Sequence, residues 1–221
     1  MALRPIADGV WQLTGHPPHA LNCYLLGDVL VDTATRWARA RVLRDLRSRR
    51  LSMVALTHCH PDHQGLAKVL CEQRRIPLAC HEADVPAMEG TMPMQPNTWL
   101  LRLGVRLWSG PARPVDRVLR DGDELAGFRV IHAPGHTPGH FMLFRDSDRL
   151  AIAGDLLANV HFVKMKAELT LPPPWFSCDP KENRRSIKML ASLEPRTVCF
   201  GHGPPLYEGW RIREFVERWK R

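Results

Sequence analysis

Long apolar runs are missing from this chain. No stretch is long enough to span a bilayer, and the first residues, MALRPIADGVWQL, lack the apolar core of a secretion signal. The expectation is a cytoplasmic protein with no membrane partner. The six cysteines (Cys23, Cys59, Cys71, Cys80, Cys178, Cys199) form no CxxC pair and no dense spacing. That argues against a disulfide framework and leaves them, Cys59 set aside, as ordinary buried thiols. No GxSxG marks a serine nucleophile. Acidic residues are the minority, 23 against 31 basic for a net charge of +8, and arginine greatly outnumbers lysine. Yet no aromatic residues interleave with basic ones on a strand, as a single-strand stacking surface requires. The densest basic run, RWARARVLRDLRSRR from Arg36, also carries Trp37, Val42, Leu43 and Leu46. It reads as an amphipathic helix with its arginines in water, so no nucleic-acid partner is expected.

What is present suits a globular protein. The chain has 221 residues, 44% of them hydrophobic, and seven tryptophans, enough for one domain spanning 1–221 with a sizeable core. Short β-rich segments (10–15, 22–27, 29–33) precede the basic helix, and SMVAL at 52–56 reads as a buried strand. A helical pattern follows at 64–74, then a strand at 77–81. Residues 86–116, rich in Pro, Gly and Met, read as a lid-like insertion with some helix. A second β-rich run covers 128–134, 140–145 and 149–155. A long loop over 156–180 follows, where three prolines at 172–174 forbid regular structure. A helix (181–193), a strand (197–200) and a final helix with Ile212, Phe215, Val216 and Trp219 on one side complete the chain. Strands followed by helices, twice over, predict an α/β protein with two sheets covered by helices on both outer sides.

The chemistry lies at strand ends. Residues 57–65 read THCHPDHQG, so SMVAL runs directly into His58, His60, Asp62 and His63. Imidazoles with a carboxylate suit zinc, manganese or iron rather than calcium. Four ligand-type residues in six positions exceed what one tetrahedral ion with an open position needs, so the stretch points to two metals. PGHTPGH adds His136, GD adds Asp155 and GHGPP adds His202, each after a strand and beside glycine that lets the backbone turn. Seven ligands shared by two ions, with one carboxylate between them, would hold a bridging hydroxide.

In this order and spacing, HCHPDH, GHTPGH, GD and GHGP resemble the metallo-β-lactamase-fold hydrolases, from about Val10 to His202. The resemblance implies a four-layer αββα sandwich with metals at one edge between the sheets. It implies that His58, His60 and His136 bind one ion, that Asp62, His63 and His202 bind the second, and that Asp155 bridges them. Two divalent ions, zinc first, with manganese or iron as alternatives, are the expected cofactors. Asp62 would orient the hydroxide and carry a proton to the leaving group. Asp32, at the end of VLVDT, is a candidate to brace a ligand histidine. His140, His81 and His132 read as structural.

Asp155 argues against a true β-lactamase and fits the thioesterase, lactonase and phosphodiesterase branches. With few residues after His202, the glutathione-holding tail of glyoxalase II is not expected, and the tyrosine that quorum-type lactonases place after the bridging aspartate is replaced by Ala158, Asn159 and His161. Ester, lactone or thioester hydrolysis on a small molecule with an apolar part is the expectation, by a monomer or homodimer. Candidate substrate contacts are His16, His19, His161, Lys164 and Trp175, with Met88, Met92, Met94, Trp99 and Phe162 as apolar walls and Lys166 as a carboxylate partner. Two alternatives stand beside this: a persulfide dioxygenase with one iron on His58, His136 and Asp155, and a metal-containing binding protein without turnover.

Overall fold

The computed structural model describes residues 3–161, 164 and 166–220. Strands β1 (Arg4–Ala7), β2 (Val10–Thr14), β3 (Asn22–Leu26) and β4 (Val29–Val31) pair antiparallel in chain order. Helix α1 (Arg39–Asp45) leads to β5 (Met53–Leu56), and α2 (Ala67–Arg74) leads to β6 (Leu78–His81). Then α3 (Val85–Met88) and α4 (Trp99–Trp108) precede β7 (Arg117–Leu119). Strands β4 to β7 run parallel and complete a seven-stranded sheet.

The second half repeats that plan. It comprises β8 (Glu124–Leu125), β9 (Phe128–His132), β10 (Phe141–Arg145) and β11 (Leu150–Ile152), then a ribbon of β12 (Ala158–His161) and β13 (Lys166–Thr170). Helix α5 (Pro180–Ser192), β14 (Thr197–Cys199) and α6 (Arg211–Glu217) follow. The five-stranded second sheet has the order β14-β11-β10-β9-β8, with β14 parallel to β11.

Strands covered on both faces need apolar residues at every position. In β3, Tyr24 and Leu26 pack between the sheets with Phe141 and Leu143, while Cys23 and Leu25 share a core with Val42, Leu46 and Leu70 on the helical side. In β10, Met142 and Phe144 turn outward onto Ile187 and Leu190 of α5 and Ile212 of α6. Three such cores separate four layers, and the fold is an αββα sandwich.

Several details depart from the sequence reading. Strand β1 and the β12–β13 ribbon were not expected; the ribbon ends at Thr170, ahead of the prolines, and a 3-10 turn forms at Pro174–Phe176 because proline's fixed φ suits a first helical position. Trp37 does not join the stripe of Val42 and Leu46: it sits on a separate 3-10 turn, Arg36–Ala38, and is 70% exposed. Cys178 is exposed, not buried; the other five cysteines are buried. Phe162 lies outside the described residues.

Phe141 is fully buried between the sheets, so Phe141→Ala should cost about 3–5 kcal/mol in a denaturant titration; a loss below about 1 kcal/mol would mean that the sheets close over the gap. At the β10–β11 turn, Arg145 donates Nε to Asp148 Oδ1 (2.9 Å) and Nη2 to Oδ2 (2.6 Å). This guanidinium holds the Asp148 carboxyl below its usual range. A carboxyl depressed by folding stabilises above its unfolded pKa, and that contribution is lost as pH falls through the folded value. Asp148→Asn should therefore lower Tm slightly at neutrality, the pair being part-exposed, with the gap to wild type closing below about pH 4. Calorimetry across that range checks it; a gap that persists in acid contradicts the assignment.

Candidate metal centre

Each ligand-type residue follows the carboxyl end of a strand or stands on the loop between two. Asp32 follows β4 and His58 to His63 follow β5, two parallel neighbours; Asp155 follows β11 and His202 follows β14, also parallel. His136 stands between β9 and β10. Parallel neighbours deliver their loops to one edge, as in other open α/β sheets.

There the seven residues singled out by sequence meet. Three overlapping sets have ligand atoms within 4.8 Å of one another: His58, His60 and His136; His58, His63 and Asp155; Asp62, His63 and His202. Asp155 Oδ2 lies 3.4 Å from His63 Nε2, 3.8 Å from His136 Nε2 and 3.0 Å from His202 Nε2. Asp62 Oδ2 lies 3.4 Å from His202 Nε2 and 3.9 Å from His63 Nε2. His60 Nδ1 and His136 Nε2 approach to 3.0 Å.

All five histidines are held from behind, which decides the nitrogen each turns inward. His60 Nε2–H donates to the Gln95 carbonyl (2.7 Å), and His202 Nδ1–H to the Ala20 carbonyl (2.6 Å). His63 Nδ1–H donates to Asp32 Oδ2 (2.9 Å). The Thr57 hydroxyl also donates to Asp32 Oδ2 (2.8 Å), and His58 Nδ1 lies 3.1 Å from that hydroxyl. His136 Nδ1 stands 3.3 Å from Ser177 Oγ. The opposite nitrogens, His58 Nε2 and His63 Nε2, and Asp155 Oδ1 are buried with no hydrogen-bond partner. Buried polar atoms without partners are uncommon in native folds, and these converge. Imidazole nitrogens and carboxylate oxygens so arranged fit a transition-type divalent ion.

The cluster divides electrostatically. Burial drives His58 and His136 well below the ordinary imidazole pKa, and lowers His60 too. These three favour the neutral form in which imidazole binds metal. Burial also opposes charge on His63 and His202, but carboxylates outweigh it. Asp155, Asp32 and Asp62 raise His63 well above its usual value, and Asp155 with Asp62 raises His202 to about 10. Against burial, the same imidazoles hold Asp62 and Asp155 below the usual carboxylate range.

The supporting residues largely escaped the sequence reading. Asp32 was named as a brace; Thr57, Ser177, Ala20 and Gln95 were not. Asp84 was also missed: its carboxylate accepts from Cys59 N (2.9 Å), Thr137 Oγ1 (2.9 Å) and Gly139 N (2.7 Å), tying the His58–His63 turn to the His136 loop. Two buried glycine positions are steric. A Cβ on Gly201 would fall inside contact distance of Asp155 Oδ1, and one on Gly154 would come 2.6 Å from His140 Nε2. His140 Nε2 accepts from the Asp155 backbone N–H (3.0 Å) and belongs to none of the three sets. His81 stacks on His132 (4.0 Å between ring centroids).

A cavity of about 520 Å³ opens onto the cluster. Its walls include Leu21, Trp37, Pro61, Leu101, Gly104, Trp108, Leu157, Pro172 and Phe176, and among the described residues no charged side chain apart from the ligand-type residues lines it. None of the nominated substrate contacts is in that lining. His16 is exposed ahead of two prolines, and His19 turns its ring toward Gln12 and Arg4. His161 ends β12, where Nδ1 accepts from the Lys164 backbone, and Lys164 itself is exposed. Trp175 is 52% exposed, while its neighbour Phe176 faces the cavity. Lys166 pairs with Glu168 at 3.6 Å. Met88 is buried, and with Met92 and Met94 it borders a separate cleft; Trp99 is exposed.

Comparison with known proteins agrees with this geometry. The model of the metallo-beta-lactamase superfamily matches residues 16–202. A relative described as the probable metallo-hydrolase YflN of Bacillus subtilis (strain 168) is 31% identical over 200 residues, covering 80% of this chain and 76% of that protein. The metallo-beta-lactamase family protein TTHA1429 from Thermus thermophilus superposes with a TM-score of 0.69 at 27% identity, over 97% of this chain and 80% of the other. TTHA1623, solved in a di-iron-bound form, superposes with a TM-score of 0.62 at 27% identity, over 96% of each chain. With the match covering most of its length and the ligand-type residues gathered at one edge of an αββα sandwich, the chain belongs to the metallo-beta-lactamase superfamily.

Proposed function

We propose that this protein is a hydrolase that uses two divalent ions, zinc first and manganese or iron as alternatives, on an ester, lactone or thioester carbonyl. His58, His60 and His136 would hold one ion, Asp62, His63 and His202 the other, and Asp155 would stand between them. The observation that carries the reading is the convergence of these seven side chains, with the outer nitrogen of every histidine already engaged. TTHA1623, a structural neighbour solved in a di-iron-bound form, supports a pair of ions. Such ions, when bound, supply hydroxide from water at neutral pH, polarise the carbonyl and offset the charge developing on its oxygen.

The chain's own groups do the rest. Asp62 lines the cavity and its carboxylate, held ionised beside His63 and His202, is placed to orient water and to pass a proton to the leaving group. Leu101, Trp108, Pro172 and Phe176 would hold the apolar part of the substrate and exclude water from it. The lack of a basic side chain among the described residues of the walls favours an uncharged appendage over an anionic one such as glutathione.

Elemental analysis of protein purified without added metal is the first test. About two equivalents per chain, with turnover of apolar esters or lactones lost to a chelator and regained with zinc, is the expected result. Asp62→Asn should then lower kcat by about 10²–10⁴. About one equivalent of iron, no uptake of a second ion and oxygen consumption with a persulfide would overturn the reading in favour of a dioxygenase.

Thr57→Val removes the hydroxyl that joins His58 to Asp32 and keeps the side-chain shape. Metal affinity measured by calorimetry should fall by about 10–100-fold while the fold is retained. Unchanged affinity would show that His58 is positioned without that hydroxyl.

A further inference from the structure

Helix α4 has two apolar faces and only one is covered. Leu101 and Gly104 face the cavity, whereas Trp99 (72% exposed), Leu103, Leu107 and Trp108 stand open to solvent. Two more exposed tryptophans are tied to it: Trp37 Nε1 donates to the Leu107 carbonyl (2.7 Å), and the Trp175 carbonyl accepts from Thr98 Oγ1 (3.2 Å). Monomeric proteins seldom leave so contiguous an apolar surface in water, and a polar rim around one marks a contact site.

The charge around this face has one sign. No acidic residue occurs between Glu89 and Asp116, or between Asp32 and Asp45. Arg102 and Arg106 are exposed on α4, and Arg36 lies over the Trp37 ring at 4.7 Å. Among the described residues, no ion pair joins any of these three arginines to a carboxylate.

We propose that the α4 face docks on an anionic lipid bilayer, lying at its surface without a spanning segment. Exposed tryptophan and leucine beside arginines without carboxylate partners is the chemistry of an interfacial helix, with the rings at headgroup depth and the guanidinium groups on lipid phosphates. A second copy of the chain is the poorer occupant, since a two-fold contact through this face would set its arginines against their own equivalents. The face is continuous with the cavity, because Trp37 and Trp108 belong to both. An apolar substrate could then pass from the bilayer into the cavity without crossing bulk water. The absence of a long apolar run, which led the sequence reading to expect no membrane partner, does not bear on surface docking.

This goes beyond the proposed reaction and is read without turnover. The test is flotation of the full chain with vesicles of phosphatidylcholine alone and of phosphatidylcholine with an equal part of phosphatidylglycerol. The protein should float with the anionic vesicles only, and less as salt is raised. Trp99→Glu with Leu103→Glu should abolish flotation, and Arg102→Gln with Arg106→Gln should weaken it by about fivefold per arginine. All four positions are exposed and outside the cavity, so circular dichroism and thermal unfolding should stay at wild-type levels in both variants. No flotation with either vesicle would overturn the proposal. So would a concentration-dependent dimer in sedimentation velocity that Leu103→Glu disperses while the vesicles bind nothing, which would assign the face to a second copy.

Discussion

The Asp32 carboxylate, at the end of β4, accepts hydrogen bonds from the Thr57 backbone, the Thr57 hydroxyl and His63 Nδ1. The arrangement of the centre depends on this one group. It reaches His63 directly and His58 through a hydroxyl, so a single anion orients two imidazoles that between them take part in all three sets. A buried carboxylate is tolerated only with such partners, because an unpaired one is costly to dehydrate. Its backbone takes a left-handed φ of 60°, which turns the chain sharply after β4. The strand order makes the contact possible: β4 and β5 are parallel neighbours, so Asp32 and Thr57 leave the sheet side by side.

That these seven residues gather at one edge was legible in the sequence because a metal site would be restricted to imidazole or carboxylate, at spacings a strand end can deliver. The residues behind them were less so. Gln95 and Ala20 act through backbone carbonyls, which any residue owns, and Thr57 and Ser177 act through hydroxyls that the sequence offers in many places. The nominated substrate contacts lie outside the cavity lining for a related reason. His16, His19, His161, Lys164 and Trp175 were chosen by type and loop, whereas the path of the loop decides direction; Phe176 faces the cavity and Trp175 beside it does not. Of the fold, strands such as β3 and β10 were readable as unbroken apolar runs buried on both faces. The ribbon of β12 and β13 was not, since ANVH and KAELT carry no such pattern and pair through their backbones. Trp37 shows the limit of periodicity: its spacing fits the stripe, but α1 begins only at Arg39.

The segment between β6 and β7 links the centre to the outer surface. Through Gln95 it fixes the tautomer of His60, through Leu101 and Gly104 it walls the cavity, and through the opposite side of α4 it meets solvent. Gln95 and Trp99 are four residues apart, so displacement of α4 cannot be wholly separate from the hydrogen bond on His60. Thr98 caps α4 by accepting from Leu101 N, while its hydroxyl also donates to the Trp175 carbonyl, joining the insertion to the loop that carries Phe176 and Ser177. Ser177 in turn stands against His136. Two of the three imidazoles in the first trio, His60 and His136, are therefore braced by the two segments that enclose the cavity. The segments that wall the cavity thus also orient two histidines of the candidate centre, and the walls and the centre form one mechanical unit.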